Sequence, residues 1–303
     1  MTRVAAIDCG TNSIRLLVTD FGTDGTASDV IREMRIVRLG EGVDRTGRLD
    51  PAAIERTLAA TREYALTIGE LGVDAVRFCA TSAARDAENA SDFRAAVVEV
   101  LGVEPEILTG EAEAHASFLG ATGDLGPEPS VVADIGGGST ELVRGAGGVV
   151  ESAVSLDIGS VRLTERFLAS DPPSVGEIVA LEEYLDEVLG PVVADWPAVE
   201  RLIGVAGTVT TVTAHALQLS SYDSARIHGA RIPVDQMREA CVSLVSMPVA
   251  DRRHLSFMHP GRADVIGGGA LILDRLLDLV PLAVPEIVVS ERDILDGIAR
   301  SAR

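Results

Sequence analysis

The 303-residue chain contains no lysine: all 26 of its basic residues are arginine. That absence excludes chemistries that need an ammonium group. A P-loop sets a lysine on the terminal phosphates, protein kinases use a strand lysine, and Schiff-base enzymes need the amine itself. An anionic ligand must therefore be held by arginine forks, hydroxyls, backbone N–H groups or a metal ion. Guanidinium suits phosphate, because its planar donors match two oxygens at once. Positive charge is scarce as well: 46 Asp and Glu leave a net charge of −20, which argues against a nucleic-acid partner.

Cysteine is sparse. Cys9, Cys79 and Cys241 are odd in number and far apart, so neither a disulfide framework nor a zinc site is indicated. They read as buried thiols of a reducing compartment. No apolar run approaches the ~18 residues of a membrane span, and the N-terminus has no signal-peptide stretch. The expectation is a cytoplasmic protein with no membrane partner. The histidines at 115, 215, 228, 254 and 259 show no H-E-x-x-H spacing, and no G-x-S-x-G elbow is present.

At roughly 100–200 residues per domain, the length suggests two domains. Residues 3–9 and 14–21 read as a strand hairpin, with a third strand near 30–39. Asp50-Pro51 then gives an N-cap and a first-turn proline, opening a helix that runs to Gly72 with Ile54, Leu58, Ala65 and Ile68 on one face. A strand at 73–80, a helix at 91–101 capped by Ser91, a strand at 103–108 and a helix from near Glu111 complete the order β-β-β-α-β-α-β-α. After a linker at 123–129 the pattern restarts, with strands at 130–135, 140–144 and 148–156. Helices at 159–169 and 174–189, a strand at 201–206 and a helix from near Thr208 follow. The C-terminal part adds helices at 233–247 and 264–280, a strand at 285–290 and a final helix.

The repeat carries one signature twice. D-x-G-x-x-S appears as Asp8-Cys9-Gly10-Thr11-Asn12-Ser13 and as Asp134-Ile135-Gly136-Gly137-Gly138-Ser139, each time between an apolar strand and a returning strand. Turns of Gly, Ser, Thr and Asn present successive backbone N–H groups that suit phosphate oxygens, although a single such turn needs no ligand to explain it. The domains expected are 1–122 and 123–290, with the C-terminal helix 291–303 packed on the first and a cleft between the two. A third glycine-rich element, Gly204 to Thr211, runs from a strand into a helix, where a plain turn capped by Thr208 and an anion site read equally well.

Hydrolysis needs a base, and Glu111 and Glu113 stand at a helix start. They point about 200° apart on a helix, so spacing does not choose between them, and acids there also simply complement the helix dipole. Asp8, Asp134 and Glu141 are candidate ligands for a divalent cation whose shell phosphates complete, or turn-capping acids. Arg15 and Arg85 lie just after strands, where they could reach a polyanion.

The phrases AAIDCGTNSIRLLV, ATSAARDA, LTGEAEA, VADIGGGSTELV and GVAGTVTT, in that order, resemble the exopolyphosphatase/guanosine pentaphosphate phosphohydrolase (Ppx/GppA) family over almost the whole chain. The resemblance implies an α/β protein of the actin-like (ASKHA) fold, two ribonuclease H-like domains around a cleft. It implies Mg²⁺-dependent hydrolysis of a terminal phosphoanhydride, releasing orthophosphate from inorganic polyphosphate or pppGpp. The family's glutamate before the alanine of G-x-x-E-A matches Glu113, and its aspartate before G-G-G-S matches Asp134, which would assist with water or metal. Phosphate contacts carry over to Thr11, Asn12, Ser13, Arg85, Gly136, Gly137, Gly138, Ser139, Gly207 and Thr208. Longer members carry further C-terminal helical domains, and a chain of only the catalytic pair is expected to favour short polyphosphates or pppGpp. A homodimer is also expected. Competing readings are an actin-like ATPase or sugar kinase, and a non-catalytic polyphosphate or alarmone sensor.

Overall fold

The computed structural model describes residues 1–24 and 26–302. The chain divides into two compact units, Met1–Gly120 with Asp293–Arg303, and Ala121–Arg292. Arg303, the end of the expected C-terminal helix segment, lies outside the described residues. Among the described residues, no helix is long and apolar enough to cross a membrane.

In unit 1, strands β1 (Thr2–Cys9), β2 (Ser13–Phe21) and β3 (Ala27–Ile36) form an antiparallel meander. Helices α1 (Val43–Thr46) and α2 (Pro51–Leu71), strand β4 (Ala75–Ala80), helices α3 (Ser82–Arg85) and α4 (Ala90–Leu101), strand β5 (Glu106–Ile107) and helix α5 (Gly110–Thr122) follow. The sheet order is β3-β2-β1-β4-β5, with β4 parallel to β1.

Unit 2 repeats the plan with β6 (Ser130–Ile135), β7 (Thr140–Ala146), β8 (Val149–Leu156), α6 (Ser160–Phe167), α7 (Val175–Val193), β9 (Leu202–Val205) and α8 (Ala206–Ala216). It continues through α9 (Ser224–Ile227), β10 (Arg231–Pro233), α10 (Val234–Ser246), α11 (Val249–Arg252), α12 (Ile266–Leu279) and β11 (Glu286–Val289). Its sheet order, β10-β11-β9-β6-β7-β8, contains the same meander and parallel neighbours with one extra edge strand. Both sheets have the ribonuclease H-like arrangement. The last helix, α13 (Ile294–Ser301), belongs to unit 1.

Alternation on the strands decides where these layers pack. Ala5, Ile7 and Cys9 of β1 face a core that includes Tyr64 of α2, Phe78 of β4 and Phe93 of α4. Val4 and Ala6 face the opposite way, toward Leu295 and Ile298 of α13. Burying a side chain such as Phe78 or Phe93, both fully inaccessible, stabilises by about 2 kcal/mol. Asp50 caps α2 as its sequence requires, accepting hydrogen bonds from the N–H groups of Ala52 and Ala53.

Several boundaries differ from those the sequence suggests, for physical reasons. Ser91 lies inside α4, whose N-cap is Asn89; that side chain is engaged elsewhere, accepting from the Leu49 N–H and donating to the Leu49 carbonyl. The third strand ends at Ile36, because Val37, Arg38 and Gly40 turn their N–H groups onto the Thr11–Asn12 turn. Strand β5 shortens to two residues, pairing only with Cys79 and Ala80. Thr208 is not a cap: α8 already begins at Ala206 behind Val205.

Candidate active site

The first hairpin turn is closed by the Gly10 N–H donating to the Ser13 carbonyl at 2.9 Å. The Thr11 carbonyl accepts from Gly40, and the Asn12 carbonyl accepts from Val37 and Arg38. In a trans peptide the C=O and N–H point oppositely. The N–H groups of Asn12 and Ser13 therefore point away from the 37–40 segment. The Thr11 hydroxyl is fixed on the Ser82 hydroxyl of α3 at 2.8 Å, in a buried contact.

The second turn is built on the same principle with a different anchor. Gly136 donates to the Ser139 carbonyl, and the first N–H groups of α6, from Ser160, Val161 and Arg162, donate to the carbonyls of Gly136 and Gly137. The Arg162 Nε donates to the Gly138 carbonyl at 2.8 Å. With three successive carbonyls turned to α6, the N–H groups of Gly137, Gly138 and Ser139 point away from it, in the concave pattern that binds anions.

Beside each turn stands the motif aspartate, and the two have opposite partners. Asp8 is in register with Arg15 across β1 and β2, and its Oδ2 accepts from Arg15 Nε at 3.0 Å and NH2 at 2.6 Å. Burial pushes the Asp8 carboxyl up despite Arg15. Asp134 is in register with Glu141 across β6 and β7, so two buried carboxylates share one face of the hairpin. Glu141 also accepts from the Ser155 hydroxyl at 2.7 Å.

The structure separates the two glutamates of α5: Glu111 is exposed, whereas Glu113 is 7% exposed. Thr109 starts the helix, its hydroxyl accepting from the Ala112 N–H. The Glu113 Oε2 accepts from Arg85 NH1 at 2.9 Å, and the same nitrogen donates to the Leu108 carbonyl at 3.1 Å. Arg85 NH1 thus orients Glu113.

At the third glycine element the chain enters α8 through Ala206, a non-glycine residue at φ +66°, a strained conformation of the kind that clusters at ligand sites. Gly207 lies against Arg262: a Cβ there would meet the guanidinium, the movable end of a flexible side chain, which would have to shift. Arg262 NH1 donates to the Thr211 hydroxyl at 2.8 Å, and Thr208 packs on Gly269 of α12. Sequence reasoning missed Arg262, which lies 55 positions beyond Gly207 with no spacing motif. Tyr222 donates to Glu291 at 2.6 Å, and burial beside that carboxylate pushes its phenol up.

Among the described residues, no group of three His, Cys, Asp or Glu side chains gathers as a metal site. In unit 2 the Asp134–Glu141 pair fits a hard cation that keeps water and phosphate in its shell, and in unit 1 two buried oxygens, Asp8 Oδ1 and Asn12 Oδ1, have no donor among the described residues. Orphan acceptors call for a cation or hydrogen-donating water, not a bare phosphate oxygen.

Two ribonuclease H-like units whose hairpin turns aim N–H groups outward beside acidic side chains define a phosphate-handling α/β protein. The chain belongs to the Ppx/GppA phosphatase family, whose model matches residues 19–300. It is 49% identical to exopolyphosphatase 2 of Mycobacterium tuberculosis, over 99% of this chain and 98% of that one. Its fold is similar to a crystal structure described as an exopolyphosphatase-like protein, at 42% identity and a TM-score of 0.94, covering 99% of this chain and 97% of that one. It is also similar to the Aquifex aeolicus Ppx/GppA family member, at 33% identity and a TM-score of 0.84 with the same coverage.

Proposed function

We propose that the protein is an exopolyphosphatase that removes the terminal phosphate of inorganic polyphosphate, with short chains as its preferred substrates. The observation that carries this reading is the second hairpin: a carboxylate pair, Asp134 and Glu141, immediately beside three outward N–H groups. That juxtaposition suits a phosphate bound together with a cation.

In this reading Glu113, held by Arg85, takes a proton from water as the water oxygen attacks the terminal phosphorus in line. The bond to the bridging oxygen breaks, giving orthophosphate and a chain shortened by one unit. The N–H groups of the turns, with Gly207 and Thr208 at the third element, hold the phosphoryl oxygens as charge shifts. Asn12 and Ser13 do this at the first turn, and Gly137, Gly138 and Ser139 at the second. Asp134 and Glu141 would hold Mg²⁺. When bound, the ion neutralises phosphoryl charge.

The test is phosphate release with Mg²⁺ from short polyphosphate, long polyphosphate and pppGpp, by wild type and Glu113→Gln. Release from short polyphosphate that drops on the order of a hundredfold or more in the variant supports the reading. Release from pppGpp alone would make the protein a pppGpp phosphohydrolase, and release from none would leave a sensor on the same fold.

A further inference from the structure

Helix α13 buries Leu295 and Ile298 on the β1–β2 face of the sheet, and that burial would hold it whatever stood in its first turn. Yet that turn carries two buried carboxylates, each paired with an arginine of the sheet. Asp296 accepts from Arg32 NH2 at 2.5 Å, and Asp293 accepts from Arg15 NH1. Arg15 is therefore stretched between Asp293 on one edge of its guanidinium and Asp8 on the other.

The geometry at Asp8 is unusual for an arginine pair. A guanidinium facing one carboxylate commonly engages both oxygens through two parallel N–H groups. Here Arg15 Nε and NH2 both donate to the single oxygen Oδ2, and Oδ1 stays buried with no donor among the described residues. Asp293, engaging NH1 on the opposite edge, is the other group that fixes how the guanidinium sits against Asp8. Charge balance does not demand it: one arginine neutralises one aspartate, and a further buried carboxylate adds desolvation cost.

Asp293 is itself fixed. Its Oδ1 caps the Leu295 N–H, its own N–H donates to Asp296 Oδ2, and its backbone carbonyl sits where a Cβ on Gly120 would fall. Gly297, one turn on, is seated in the same way against the Ala116 carbonyl. Backbone contact thus sets α13 against α5, the helix that bears Glu113.

Resting on the phosphohydrolase reading above, we propose that Asp293 is a positioning residue: by engaging Arg15 NH1 it holds Arg15 off Asp8 Oδ1 and leaves that oxygen for the hydrogen-donating waters of the bound phosphate. The chemistry needs an acceptor there, and the C-terminal helix keeps it open.

Asp293→Asn tests this cleanly, since asparagine is an equally good N-cap and loses only the charge. Its kcat on short polyphosphate is expected to fall about tenfold, the size seen when a partner orienting an active group is removed, with KM within about twofold. Asp296→Asn, which breaks the parallel pair with Arg32, keeps kcat. In an Asp8→Asn background, adding Asp293→Asn changes kcat little further, because the two act through one group. Unchanged kcat in Asp293→Asn, an equal loss in Asp296→Asn, or additive losses with Asp8→Asn would each overturn the proposal. A readout independent of turnover is the ¹⁵N side-chain resonance of Arg15 Nε–H. It should shift in Asp293→Asn as the fork closes on Asp8, and an unshifted signal overturns the proposal. A wild type that turns over none of the substrates overturns the exopolyphosphatase reading instead, and the Arg15 resonance still decides whether Asp293 sets Arg15.

Discussion

The two copies of the D-x-G-x-x-S hairpin share strand pairing, turn closure and the outward aim of their N–H groups, and differ in the residue that faces the aspartate. Opposite Asp8 stands Arg15; opposite Asp134 stands Glu141. The first hairpin therefore pairs its aspartate with an arginine, and the second sets two carboxylates side by side. In the proposed reading this is the difference that places the cation at the second hairpin. The turns are also anchored differently: a hydroxyl pair and a loop hold the first, whereas the N-terminal N–H groups of α6 hold the second.

The largest effect should come from removing the acidic surplus of the second hairpin. Glu141→Gln keeps the shape and halves the charge, and is expected to lower phosphate release on the order of a hundredfold or more, with partial recovery at high Mg²⁺. Titration calorimetry with Mg²⁺ alone would register the weakened binding. Equal loss of Mg²⁺ affinity in Asp8→Asn would erase the proposed difference between the hairpins.

The first hairpin should answer in stability as well. Arg15→Met leaves Asp8 and Asp293 buried without their shared cation, and a loss of about 3 kcal/mol is expected in urea unfolding. A smaller loss distinguishes the turn anchors. Thr11→Val removes the partner of a buried Ser82 hydroxyl and should destabilise by about 1–2 kcal/mol. A Thr11→Val variant of wild-type stability would mean that the 37–40 segment alone holds the turn.

Much of this organisation was legible in the sequence, because strand alternation and glycine turns are local signals. Asp50-Pro51 announced α2, and the repeated motif gave both hairpins and their strand neighbours. What periodicity could not show were contacts across long separations. The pairing of Arg85 with Glu113 spans 28 residues and that of Arg15 with Asp293 spans 278, so neither leaves a spacing to read. The choice of Glu113 over Glu111 likewise needed either the family motif or the burial of one and exposure of the other. Ser91 misled because a good capping residue stood one place inside the helix, while the true cap position was occupied by an asparagine engaged with Leu49.

The smallest effect concerns pH, where the units carry carboxylates of opposite sign. In unit 2, Glu177 closes the capping box of α7 and accepts from the N–H groups of Ser174, Ala169 and Ser170, contacts that hold its carboxyl down at about 2 against an ordinary 4.5. A folded value below the unfolded one means that its stabilisation is complete above about 4.5 and is lost as pH falls toward about 2. In unit 1, Asp8 is pushed the other way by burial, so its contribution is present at low pH and is lost as pH rises through its folded value. Urea midpoints measured from pH 2.5 to 7 should separate them. Glu177→Gln should flatten the acid limb with little change at pH 7, the effect being small because the carboxylate is solvent-exposed. Asp8→Asn should leave that acid limb in place and gain relative to wild type toward neutral pH. If both variants shifted the same limb, the electrostatic contrast between the two units would be wrong, and the motif aspartate of the first hairpin would behave as an ordinary ion-paired carboxylate.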